Sequence, residues 1–444
     1  MLNRFFQVQE AQSTVKTEIL AGLTTFIAGM YIIVVNPTIL QEAGIPYAAG
    51  LTATVLLSAF CTMAMGAYAK NPILVAPGMG INAYFTYSVV IGQGVRPEIA
   101  LGAIFWSGVF FVLISVLNIR TAIIKAIPHT IRLAGAVGIG LFIAVIGFHN
   151  SGFIVAKPPL TGVGFINSIT VVFLLGLFIT MVLVVKKVKG ALILGMVVTT
   201  LLAWPVGRWF GDATAVNHGI KTLINYNGIY ARPDFSWFFK ADLMASLKYS
   251  TLPIIFALLF VDMFDSITTF VGVAEAGHLK DRQGDPKNIK ESMIVDGFAT
   301  LFAGLFGTSS GTAYIESAAG IREGGRTGLS AVVTGLLFLP FLFLSPLAGL
   351  VPSVATAPVL VLVGVFMAAP LKQIDWQDME EAIPAFITIV LIPLTYSLTQ
   401  GIVYGFLSYT LIKAVSGKWK EIPFSLWVVD AFSILMLAIE YGLI

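Results

Sequence analysis

A chain of 444 residues with 57% hydrophobic and only 11% charged positions carries less than half the charge of ordinary soluble domains, where about 25% of residues are ionisable. That composition excludes a soluble enzyme as the default, and a net charge of +3 spread over loops is no nucleic-acid footprint. The one cysteine, Cys61, rules out an intrachain disulfide and any multi-cysteine metal site, and reads as a small buried apolar side chain.

The opening MLNRFFQVQEAQSTVKTE lacks an apolar core followed by a small-residue cleavage site. No removable secretory signal is therefore expected, and the first span directs insertion. Apolar runs of the length that crosses a hydrocarbon core about 30 Å thick recur at 17–36, 48–69, 73–92, 98–118, 129–149, 165–185 and 190–210. After a polar loop they resume at 249–273, 290–306, 308–321, 327–350, 354–370, 380–398 and 400–416. The expected fold is an all-α polytopic membrane protein of 14 crossings, some of them short or interrupted. A further apolar segment, 424–442, carries Asp430 and Glu440 and is either a fifteenth crossing or a helix against the bundle.

Nineteen of the 26 Lys and Arg residues fall inside if the N-terminus is cytoplasmic: Arg4, Lys16, Lys70, Arg120, Lys125, Arg132, Lys186, Lys187, Lys189, Lys280, Arg282, Lys287, Lys290, Arg322, Arg326, Lys372, Lys413, Lys418 and Lys420. The outer loops hold seven, Arg96, Lys157, Arg208, Lys221, Arg232, Lys240 and Lys248. This excess places the N-terminus in the cytoplasm.

The two halves are related. Pro128, Gly140 and Phe142 are spaced like Pro352, Gly364 and Phe366, and Leu101 and Ala103 match Leu329 and Ala331. The third crossing of each half is irregular in the same way, through NPILVAPGMGINA at 71–83 and GTSSGTAY at 307–314. Seven crossings per half is odd, so the second copy is inverted, and paired broken spans in inverted repeats mark the midplane site of secondary transporters. The expected parts are a cytoplasmic segment 1–16, a first repeat 17–210, an extracytoplasmic loop 211–248, a second repeat 249–416 and a C-terminal segment 417–444.

Glu316 sits in the second irregular stretch, and a carboxylate at bilayer depth usually faces a protein interior or wet cavity and marks a site. Its chemistry suits a heterocycle, since it donates to a ring nitrogen when protonated and accepts from a ring N–H when ionised. In the eighth span Asp262, Asp265 and Thr269 share one helical face. Two acids on one membrane stripe need partners, water or a proton, so Asp262, Asp265 and Glu316 are the expected proton-coupling residues. Asn82 follows the break made by Pro77, Gly78 and Gly80 and offers both donor and acceptor. Tyr84, Phe85 and Tyr314 lie beside the breaks, where they could stack on a flat substrate. Asp296, near the cytoplasmic half with no acidic companion, reads as structural. His129, His149, His218 and His278 fall at span ends or loops without ligand spacing, so no metal site is expected.

At these residues the chain resembles the purine nucleobase permeases of the nucleobase–cation symporter-2 group, in the AzgA-like branch of adenine, guanine and hypoxanthine permeases. The similar motifs are TTF at 24–26, YIIVVNP at 31–37, APGMGINA at 76–83, FVDMFD at 260–265, GTS at 307–309, YIESAAG at 314–320 and GGRTG at 324–328. The resemblance implies a seven-plus-seven inverted repeat, with a core domain of spans 1–4 and 8–11 and a gate domain of spans 5–7 and 12–14. It implies a base bound between the third and tenth spans by Asn82, Asp262 and Glu316, with Asp265 supporting uptake. Thr25, Ala83, Phe85, Ser310 and Gly311, in or beside these motifs, complete the expected substrate-binding set. Ala28, Gly29, Met30 and Gly311 depart from the family pattern beside that pocket and bear on which purine is preferred.

The function expected is proton-coupled uptake of adenine, hypoxanthine or guanine by alternating access across the cytoplasmic membrane, with no cofactor. Sodium as coupling ion, and a uracil or xanthine substrate on the same fold, are the alternatives, and relatives of this fold often work as homodimers. Three acids disfavour an anion exchanger, and a passive channel would not concentrate its substrate. An intramembrane enzyme would need a nucleophile with a base or metal, and Ser309 and Ser310 have no histidine nearby in sequence.

Overall fold

The computed structural model describes residues 2–117, 128–157, 160–214, 221–224, 228–277, 279 and 286–440. Arg120, Lys125, His218, His278, Lys280, Arg282 and the end of the last apolar segment at 441–442 lie outside the described residues. The fold is mostly helical, as apolar runs in lipid require, because a helix satisfies its backbone within one segment. Seven of the described helices are long and apolar enough to cross a membrane.

The expected span 327–350 divides into Gly328–Phe338, Leu339–Leu342 and Ser345–Ala348, and three others that are not single helices position the site. The first runs as Val15–Gly29, capped by Thr14, pauses at Met30 and Tyr31, and resumes as Ile32–Glu42, beyond the expected end at residue 36. The third consists of a strand β1 (Val75–Pro77), a short helix Met79–Ala83 and π-helical turns Tyr84–Gly92. In the loop after the fifth span, β2 (Ile154–Lys157) and β3 (Leu160–Val163) form an antiparallel ribbon. The tenth span is a strand β4 (Gly311–Ala313) followed by a short helix Ser317–Arg322. β1 and β4 pair antiparallel, with Val75 opposite Ala313, Ala76 opposite Thr312 and Pro77 opposite Gly311. The expectation of an all-α chain is thus corrected by two short ribbons. At β1 and β4 the reason is physical, since Pro and Gly break the first helix, a Gly-rich polar run breaks the second, and the freed backbone groups bond to each other inside protein.

Helices pack across the two halves of the sequence. Pro97–Val116 lies on Ile289–Phe306, Tyr47–Ala67 on Gly328–Phe338, and His129–Asn150 on Ser353–Met367. Small residues let these backbones touch. A methyl placed on Gly304 would come within 2.7 Å of the Leu101 carbonyl oxygen, and one on Gly364 within 2.4 Å of that of Gly140. Large apolar side chains such as Phe178, Val365 and Leu411 point outward, the orientation expected of a surface that meets lipid. Phe142, Phe173 and Phe85 are fully buried in the interior.

Candidate substrate site at the broken spans

The two broken spans are tied to each other and to the helices around them. The Gly78 amide donates to the Ser310 carbonyl at 2.9 Å, and the Tyr314 amide donates to the Leu74 carbonyl at 2.9 Å. Thr62 donates its hydroxyl to the Val75 carbonyl at 2.9 Å and accepts from the Val75 amide at 3.0 Å. The Leu74 amide donates to Ser317 Oγ at 2.9 Å, and the Tyr314 hydroxyl donates to the Pro77 carbonyl. Irregular backbone at this depth is therefore satisfied by protein, the condition under which it is tolerated.

A cavity opens where β1 and β4 end. Glu316 and Asp265 line it, together with Tyr31, Tyr314, Thr269, Thr312, the turn Gly78–Gly80, Val363 and Met367. Tyr31, at the pause in the first span, donates its hydroxyl to Glu316 Oε1 at 2.6 Å. The pause thus has a chemical consequence, because it delivers a donor from the first span to the acid of the tenth. Two carboxyl groups, two phenol rings and threonine hydroxyls supply both acceptors and donors for the edge of a polar heterocycle.

Asp262 is fully buried and is not among the residues lining this cavity. It lies beside β4. The Thr300 hydroxyl donates to Asp262 Oδ2 and also lies 3.0 Å from the Gly311 carbonyl, while Asp262 Oδ1 has no hydrogen-bond partner. Asp296 is fully buried too, on the helix whose Thr300 reaches Asp262, which corrects the expectation that it has no acidic companion. The arrangement is reciprocal. Thr300, one turn on from Asp296, donates to Asp262, and Ser266, one turn on from Asp262, donates to Asp296. Ser266 Oγ also lies 2.7 Å from Thr312 Oγ1, so both hydroxyls join the acid pair to β4. The matched spacing of Asp262 with Ser266 and of Asp296 with Thr300 was the available signal for this pairing.

The remaining expected site residues surround the cavity without lining it. Asn82, in the short helix after β1, is fully buried with neither amide atom hydrogen-bonded, and the Ser310 hydroxyl is buried and unpartnered. Ala83 and Phe85 are buried in the apolar interior. Gly311 packs so closely that a methyl on it would meet Ala299 Cβ at 2.8 Å. Thr25 is buried against Gly320, where a methyl would meet its hydroxyl oxygen at 2.2 Å.

Sequence reasoning passed over Glu18, a fully buried carboxylate in the first helix. It accepts from the amides of Arg326 at 3.0 Å and Thr327 at 3.3 Å and from the Ser330 hydroxyl. The GGRTG turn is therefore held by an acid from the start of the chain, while Thr327 caps the helix Gly328–Phe338 by accepting from the Leu329 amide.

Residues 16–404 match the model of the Permease family, Xan_ur_permease. The chain belongs to this family. The permease is 40% identical over 426 residues to the adenine permease AdeP of Escherichia coli (strain K12), covering 95% of this chain and 92% of that one. It is 39% identical over 424 residues to the guanine/hypoxanthine permease PbuO of Bacillus subtilis (strain 168), covering 94% and 96%. Its fold is similar to the transmembrane domain of the cyanobacterium bicarbonate transporter BicA, with a TM-score of 0.61 at 16% identity over 88% of this chain and 97% of that one. That likeness concerns the fold alone. The permease is a multi-pass membrane transporter rather than an enzyme, and the resemblance read from its motifs holds over nearly its whole length.

Proposed function

We propose that the permease imports purine nucleobases, adenine, hypoxanthine or guanine, together with protons across the cytoplasmic membrane. The convergence of Asp265 and Glu316 on one cavity between the two broken spans carries this reading. A neutral base needs donors and acceptors at its ring edge, and a buried carboxyl that changes protonation supplies either. Asn82, with neither amide atom partnered, and Asp262, with Oδ1 unpartnered, would turn toward the base as the pocket closes on it. Similarity to adenine and to guanine/hypoxanthine permeases supports a purine cargo.

Alternating access follows from two groups of helices moving against each other. The pairing of β1 with β4 and the exchange of packing partners between halves support a seven-plus-seven inverted repeat of 14 spans. Core spans 1–4 and 8–11 would carry the site past gate spans 5–7 and 12–14, with the N-terminus in the cytoplasm as the basic residues indicate.

Competition in cells lacking their own purine permeases tests the cargo. Unlabelled adenine, guanine or hypoxanthine should displace labelled hypoxanthine uptake, and uracil or xanthine should not. A ranking led by uracil or xanthine would replace the purine reading with the pyrimidine or xanthine one. Uptake that needs sodium and ignores a protonophore would replace the proton.

A further inference from the structure

Glycines in the described helices meet a neighbour at the point where a side chain would start, with one exception. A methyl on Gly135, in the helix His129–Asn150, would find nothing within 4 Å. Gly135 borders a second cavity, between that helix and the helices Leu252–Gly277 and Leu398–Val415. A glycine kept where no backbone approaches leaves volume, and here the volume has a chemical lining.

Asp265 lines both cavities, so the second adjoins the candidate substrate site at a shared acid. Phe264 and Phe406 lie on its wall with Thr268, and Arg132 is its only cation among the described residues. Arg132 Nε is buried without a hydrogen-bond partner. Arg132 also lies in the first turn of its helix, at the cytoplasmic end in the proposed orientation.

We infer that this second cavity is a release-side base site in which Arg132 favours 6-oxopurines over adenine. The inference rests on the purine reading above and adds a residue that sets specificity. Aromatic rings accept the flat faces of a heterocycle. A guanidinium matches an oxo group beside a ring nitrogen, the pair it contacts on guanine through O6 and N7. Adenine presents an amino donor where the oxo group would be, which sets donor against donor. Asp265 accepts a ring N–H from either base and passes the base from one cavity to the next.

The test uses the full-length permease in cells lacking other purine permeases, with labelled hypoxanthine and labelled adenine and with membrane protein matched between variants. Arg132→Gln should lower hypoxanthine uptake relative to adenine by about tenfold, the effect of losing a hydrogen bond from a charged group. Arg132→Lys, which keeps the charge without the fork, should shift the ratio the same way by less and serves if the glutamine variant does not reach the membrane. Gly135→Leu, whose Cβ meets open space and whose side chain takes up cavity volume, should lower the maximal rate for both bases. An unchanged hypoxanthine-to-adenine ratio in the Arg132 variants, or wild-type rates in Gly135→Leu, would overturn the inference while leaving purine transport intact. A wild-type protein that accumulates neither base would instead remove the purine reading, and this inference with it.

Discussion

Glu316 lines the cavity with one carboxyl oxygen held by the Tyr31 hydroxyl. Glu316→Gln keeps the shape and removes ionisation, so accumulation of labelled hypoxanthine should be abolished at wild-type membrane abundance. Tyr31→Phe should weaken apparent affinity about tenfold, the worth of one hydrogen bond to a charged group, as measured from the concentration dependence of uptake. Behind β4, Asp296→Asn should depress transport as strongly as Asp262→Asn, because each acid takes a hydroxyl from the other's helix. Normal uptake with Asp296→Asn would show that the pair is mere packing. Asp262, Asp265 and Glu316 were legible in the sequence because an acid within an apolar run is costly. Tyr31 and Glu18 were not, and the pairing of Asp296 was hinted at only by matched spacing, since each depends on a partner 30 or more residues away that only the folded chain supplies.

At the scale of elements, apolar runs located the helices and Gly and Pro located the breaks at 71–83 and 307–314. Nothing local to either stretch says that the two extended pieces become one ribbon, because each lacks a partner until the halves assemble. β2 and β3 are too short for an alternating pattern to stand out, and the pause at Met30 and Tyr31 lies inside an apolar run that reads as continuous. Helix pairing is set by small residues at crossings. Gly304→Leu drives a side chain into the backbone of Pro97–Val116 and should cost at least about 1–3 kcal/mol, the usual range for overpacking. Size-exclusion profiles of detergent-solubilised protein after graded heating should show a lower midpoint, and an unshifted midpoint would mean that the crossing is looser than it looks.

For the whole molecule, the proposed proton-coupled transport requires that the cavity holding Asp265 and Glu316 open to each side in turn while a proton moves with the base. The long exposed apolar surface is no obstacle to stability, because lipid covers it, and the polar groups are gathered where helices are broken. The most direct measurement is uptake of labelled hypoxanthine into proteoliposomes of purified permease, with a pH gradient imposed acid outside. Wild-type protein should concentrate the base above the outside level, lose that excess when a protonophore is added, and show none in Asp265→Asn or Glu316→Gln. Uptake that only equilibrates whatever the gradient, or concentration undiminished in both variants, would contradict the coupling of cargo and proton at this site.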